Sequence, residues 1–159
     1  ANAIEGVFHK GYEGVIAVGN DSPELGKTHF DDAVYSLAQG QCVLGPSLRG
    51  GTYLIGLTKA SFSKEPFQNL PWQGSGLFKS LKHHLQAGNH EVLQLKKMRD
   101  INSFHDILAI FKDASFPLKL VRFLRFLVSK PYRIDYRHTP IHSKPFLCQS
   151  ALRAPPILN

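Results

Sequence analysis

Gln41-Cys42-Val43-Leu44-Gly45-Pro46-Ser47-Leu48-Arg49-Gly50-Gly51-Thr52-Tyr53-Leu54-Ile55-Gly56-Leu57 is the stretch on which the fold turns. Its ends, Gln41 to Leu44 and Thr52 to Leu57, are short apolar runs rich in strand formers. The seven residues between them, Gly45 to Gly51, are dominated by turn formers. Two strands joined by a hairpin or a functional loop is the reading that this pattern supports.

Upstream, Val15 to Val18 is a third apolar run, set between glycines, and reads as a strand. Thr28 stands three residues before Asp31 in a capping-box-like arrangement. Phe30, Ala33, Val34, Leu37 and Ala38 then recur at helical spacing until Gly40, so a helix with Thr28 as N-cap is expected. Downstream, Lys64 to Gly76 carries two prolines, two glycines and the single tryptophan, which predicts an ordered loop anchored by Phe67 and Trp72. Ser75 is placed to cap a helix with Leu77, Phe78, Leu81 and Leu85 on one face and Gly88 as its stop. Glu91 to Leu95 reads as a strand, Ser103 with Asp106 opens a helix, and Pro117 starts another.

Strands and helices alternate without a clean parallel βαβ repeat. The expectation is therefore an α+β fold, a single domain over residues 1–130 with a mixed or antiparallel sheet and about three to four helices. Residues 131–159 hold five of the ten prolines and read as an extended, basic, Pro-rich C-terminal arm. With 159 residues, 43% hydrophobic residues and eleven Phe, the chain can bury one core. No apolar run is long enough for a membrane span, so the sequence reads as soluble and intracellular, although its localisation stays unknown. Cys42 and Cys148 are far apart and have no C-x-x-C spacing, which predicts buried thiols rather than a disulfide scaffold.

Charge is divided unequally. Residues 1–80 hold six Lys/Arg against seven Asp/Glu, and residues 81–159 hold thirteen against five. A concentrated surplus makes a local positive field that attracts phosphate, anionic lipid or an acidic protein face. The basic set comprises Lys96, Lys97 and Arg99 after one strand, Lys119, Arg122 and Arg125 on one helix, and Lys130, Arg133, Arg137 and Lys144 in the arm. Tyr132 and Tyr136 are interleaved with these last cations. On these residues the sequence predicts a nucleic-acid-binding protein, for RNA or DNA, without a cofactor or metal. The alternatives are a nuclease or other enzyme acting on nucleic acid by His/Lys acid-base chemistry, or an interaction module gripping an acidic protein surface.

Other constellations fall short of a chemistry. Gly19 to Thr28 runs from strand to helix through Gly26-Lys27-Thr28, in the order of a phosphate-binding P-loop. Asp21, however, occupies the position of the required glycine and Glu24 adds a second negative charge, so an ordinary helix start is expected. His83 and His84 diverge by about 100° on a helix, and Pro140 stands between His138 and His142, so neither pair reads as a metal site. Cys42 lies at the carboxyl end of a helix, where the dipole opposes thiolate formation. Asp31, Asp32, Asp106, Asp113 and Asp135 show no readable paired arrangement.

Overall fold

A computed structural model describes residues 1–111 and 116–129, and the domain is α+β, built on one mixed four-stranded sheet. In chain order the elements are α1 (Asn2–His9), β1 (Gly14–Val18), α2 (Lys27–Ala38), β2 (Cys42–Pro46) and β3 (Thr52–Thr58). There follow a 3-10 turn (Lys59–Ser61), α3 (Lys64–Gln68), α4 (Leu77–Ala87), β4 (Val92–Gln94), α5 (Phe104–Ile110) and α6 (Leu118–Ser129). The expected arm beyond residue 130 lies outside the described residues.

The sheet order is β1-β3-β2-β4. β3 pairs antiparallel with both β1 and β2, and β2 pairs parallel with β4. It follows that β1, β2 and β4 all run in one direction and deliver their carboxyl ends to the same edge of the sheet. The two central strands, β2 and β3, are the uninterrupted apolar runs of the sequence, and they are buried along nearly their whole length. Strands covered on both faces need such runs in place of a polar alternation. One face packs Cys42, Leu44, Ile55 and Leu57 against Ile4 and Phe8 of α1, Phe67 of α3, and Leu81 and Leu85 of α4. The other packs Val43, Tyr53 and Leu54 against Ala33 of α2 together with Leu95 and Met98. Cys42 is a free, fully buried strand residue, as expected.

Several local expectations are corrected. There are six α-helices among the described residues rather than three to four. The additional ones are α1, held by Ile4 and Phe8 one turn apart, and the short α3 inside the segment read as a loop. Pro66 is tolerated in α3 because it falls within the first turn, where its missing N–H has no intrahelical partner to lose. Phe67 is buried as an anchor, whereas Trp72 stays partly exposed and donates from Nε1 to the Phe67 carbonyl at 2.9 Å. Helix α4 starts from Gly76, not Ser75, without a side-chain cap. Ser103 does cap α5, as its spacing to Asp106 predicts, with Asp106 Oδ2 accepting from Ser103 N at 2.8 Å.

Helix α2 begins two residues earlier than expected. Gly26 is its N-cap, and the Gly26 amide donates to His29 Nδ1 at 3.1 Å. Thr28 is exposed inside the first turn, and Lys27 pairs with Asp31 at 2.6 Å on the solvent side. Thr28→Ala should therefore change stability by less than about 0.5 kcal/mol in a denaturant titration, the size of an ordinary surface substitution rather than of a lost cap.

Candidate functional site

The carboxyl ends of β1, β2 and β4 lie along one edge of the sheet, and a cleft of about 400 Å³ is lined by residues that follow them. In open sheets of this type ligands settle in the crevice beyond the strand carboxyl ends, because the loops leaving parallel strands diverge there. The connections that wall the cleft are fastened by main-chain hydrogen bonds beyond the regular ladder. Gly19 N donates to Tyr53 O at 2.8 Å, Leu48 N to Met98 O at 2.8 Å, and Ile101 N to Asp21 O at 2.8 Å. This last bond brings the segment after β1 alongside the segment after β4. As a result Asp21 and Asp100, distant in sequence, line one cavity together with Ser47, Arg49, Trp72 and Asn102.

Each polar group on the wall has a definable state. Asp100 Oδ2 accepts from Asn102 Nδ2 at 2.7 Å, while Asp100 Oδ1 is buried with no hydrogen-bond partner among the described residues. A carboxylate oxygen held away from water with nothing donating to it is costly, and a cation satisfies it directly. Ser47 Oγ accepts from Gly51 N at 3.1 Å and closes the β2–β3 turn. Thr52 Oγ1, also on the wall, is buried without a partner among the described residues. Tyr53 donates to Lys96 O at 2.8 Å, and its hydroxyl is pushed up to about 12, first by burial and then by the charge of Glu24, so it remains a hydrogen-bond donor throughout the neutral range. Trp72 stands edge-on to Phe67, with ring centroids 4.7 Å apart, and offers a planar apolar wall.

Arg49 reaches across to α5, where Nη2 meets Asp106 Oδ1 at 2.6 Å. Asp106 also accepts from the Ser103 hydroxyl and from the amides of Asn102 and Ser103. The Ser103 hydroxyl, these amides and Arg49 together hold its carboxyl below the usual carboxylate range. A carboxylate with a lowered folded-state value stabilises the fold above its ordinary titration point and loses that contribution as pH falls through the lowered one. Acidification through that lowered value, below the ordinary carboxylate range, should therefore release Asn102 and Ser103 from Asp106, seen as loss of protection of those two amides relative to their intrinsic exchange. In Asp106→Asn that acid-dependent step should be missing.

The residues singled out by charge are not gathered into one surface among the described residues. Lys96 and Lys97 are exposed after β4, and Arg99 is half-buried with its guanidinium over the Phe116 ring at 6.0 Å. Lys119, Arg122 and Arg125 are exposed on α6, and α6 buries none of its residues. Lys130, Tyr132, Arg133, Tyr136 and Arg137 lie outside the described residues, as do His138, His142, Asp113 and Asp135. His83 and His84 sit on α4 away from the cleft lining, and among the described residues no three His, Cys, Asp or Glu side chains are grouped to hold a metal by themselves. The second depression, about 510 Å³ at the opposite end of β4, is shallower. There the Gln41 amide and Glu91 already satisfy one another at 2.7 Å.

Residues 1–74, less than half of the chain, match a family described as "Uncharacterized protein conserved in bacteria (DUF2064)". No curated protein matches the chain. The fold is similar to that of a crystal structure from Desulfovibrio desulfuricans G20 described as a "putative nucleotide-diphospho-sugar transferase", with a TM-score of 0.68 and 24% sequence identity. The similarity covers 80% of this chain and 58% of that one, so the chain spans less than two thirds of the length of the structure it resembles.

These matches overturn the nucleic-acid-binding expectation, including its RNA-binding form and its nuclease variant. The nucleic-acid expectation rested on the net charge of the carboxyl-terminal half, whereas the family match covers the opposite, nearly neutral half, and the shared fold directs attention to the strand ends. Charge density reports a long-range field and carries no information about which cavity the fold builds. The sequence reading passed over the cleft residues themselves. Asp21 entered it only as an obstacle to a P-loop and Asp100 not at all. The available signal was a carboxylate within a few residues of the end of two separate strands.

Proposed function

We propose that the protein is a nucleotide-diphospho-sugar transferase-type protein that receives its donor in the cleft beyond β1, β2 and β4. The observation that carries this reading is that Asp21 and Asp100 line one cleft, with Asp100 Oδ1 buried and without a hydrogen-bond partner among the described residues. The fold likeness supports the donor class.

Two carboxylates form an all-oxygen set suited to a hard divalent cation such as Mg²⁺ or Mn²⁺, which is usually held by one or two carboxylates and by substrate phosphates. That the described residues offer two carboxylates and not a complete cage fits a cation that arrives with the diphosphate. When bound, such a cation supplies positive charge against the departing diphosphate. The chain's own groups complete the arrangement. Asn102 holds the Asp100 carboxylate in orientation, and Arg49 retains guanidinium donors beyond the one engaged by Asp106 for phosphate oxygens. Trp72 provides a flat wall for a nucleobase or sugar ring. Asp106 fixes Arg49 and through it the β2–β3 turn.

The direct test incubates the protein with a panel of uridine, guanosine, adenosine and thymidine diphosphate sugars and Mn²⁺, following release of the nucleoside diphosphate by chromatography. Metal-dependent release from at least one donor is expected. No release from any donor, in the presence of varied sugar and polyol acceptors, would contradict the reading.

A further inference from the structure

Helix α6 poses a physical problem that the cleft does not address. Eight of its twelve residues are apolar, three are Lys or Arg, none is acidic, and none is buried among the described residues. A helix of this length is marginal on its own in water, because helix stability in proteins comes chiefly from packing an apolar face. Leu120, Val121 and Leu124 are only half-buried. Leu118, Phe123 and Phe126 are 75%, 57% and 54% exposed, and Leu127 and Val128 are exposed as well.

Placed at about 100° per residue from Lys119, the half-buried side spans roughly 100° to 200°. The outward side carries Phe123, Phe126, Leu127 and Leu118, with Lys119, Arg122 and Arg125 among them. Arg125 also lies over the Phe111 ring at 5.6 Å, which anchors the helix at its cationic edge. Such a surface combines large apolar side chains able to enter a few ångströms of an acyl boundary with cations whose flexible stems reach the headgroup phosphates. A protein groove receiving the same helix would have to supply several carboxylates opposite three separated cations. An anionic lipid leaflet supplies negative charge continuously and also accepts the aromatic rings.

We infer that the outward face of α6 docks the protein on an anionic phospholipid surface. The helix is too short to cross a bilayer, in keeping with the absence, among the described residues, of any helix long and apolar enough to do so, and it lies in the interface plane instead. This surface is separate from the cleft, and the inference does not depend on the transfer chemistry.

The test is co-sedimentation of the full chain with phosphatidylcholine vesicles, with and without phosphatidylserine, at low and high salt. Binding is expected with phosphatidylserine, weaker without it and weaker at high salt. Each cation near an anionic leaflet contributes about fivefold, so K119Q/R122Q/R125Q should lower the partition coefficient roughly a hundredfold. F123S/F126S, which replaces two exposed side chains, should lower it at least about tenfold while circular dichroism stays unchanged. Failure of the intact chain to bind either vesicle overturns the inference, as does binding that neither variant alters. Self-association abolished by F123S/F126S in the absence of vesicle binding would assign the face to a second copy and overturn it equally.

Discussion

Gly50→Ala is expected to lower folding stability by about 3 kcal/mol and to distort the cleft, an effect far larger than an exposed loop position normally shows. Gly50 has φ +86, in the left-handed region that a Cβ disfavours by about 1 to 2 kcal/mol. The added carbon would also lie 1.9 Å from the Ser75 carbonyl oxygen and 2.8 Å from its carbonyl carbon. These are backbone atoms of the turn leading into α4, and they have no rotamer with which to yield. Gly50 O meanwhile accepts from Phe78 N at 3.1 Å, so separating the two turns costs a hydrogen bond as well. The damage falls on the wall that carries Arg49. Gly6→Ala is the control: that glycine lies inside α1 with open space around the would-be Cβ, and the change should stabilise by about 0.5 to 1 kcal/mol. Denaturant titration of the two variants checks both signs, and a Gly50→Ala protein within about 0.5 kcal/mol of the parent would show that the two turns are not packed as described.

Asp21→Asn is expected to reduce cation-dependent donor binding by about a hundredfold or more with the fold intact, since losing a direct carboxylate ligand costs at least as much as disturbing the groups that orient one. The substitution keeps size and shape and removes the charge. The structural tie through this residue uses its backbone carbonyl, which accepts from Ile101 N, and asparagine preserves it. Gly19→Ala offers a second approach to the same carboxylate: its Cβ would stand 2.8 Å from Asp21 Oδ1 and push the side chain aside without altering its charge. Both variants should weaken binding and leave the thermal transition of the domain close to that of the parent. If Asp21→Asn binds donor as the parent does, Asp21 is not part of the site.

Residues 41–57 were legible because two fully buried strands and the loop between them leave a local imprint, continuous apolar runs interrupted by turn formers. The Ser103 cap was legible for the same reason, since its partner Asp106 is three residues away. Helix α1 was not, because Gly6 interrupts its apolar pair and no capping side chain marks its start. At α2 the capping pattern misled by two positions: Gly26, not Thr28, is the N-cap, and His29 makes the side-chain contact at the helix start. The site was illegible for a different reason. Asp21 and Asp100 line the same cleft only because β1, β2 and β4 share a direction, and strand direction is a property of the assembled sheet. The charge surplus drew the functional reading to residues that the fold distributes between the loop after β4 and the surface of α6.

A cation-assisted diphosphate site at Asp21 and Asp100 requires that donor binding depend on both the metal and the carboxylates. Calorimetric titration of nucleotide-diphospho-sugars into the parent protein and Asp21→Asn, each with Mn²⁺ and again with chelator, tests it most directly. Saturable binding of at least one donor by the parent is expected with Mn²⁺, with little in chelator and little by Asp21→Asn in either condition. Binding that is indifferent to both the metal and the substitution, or no binding of any donor to the parent, would contradict it.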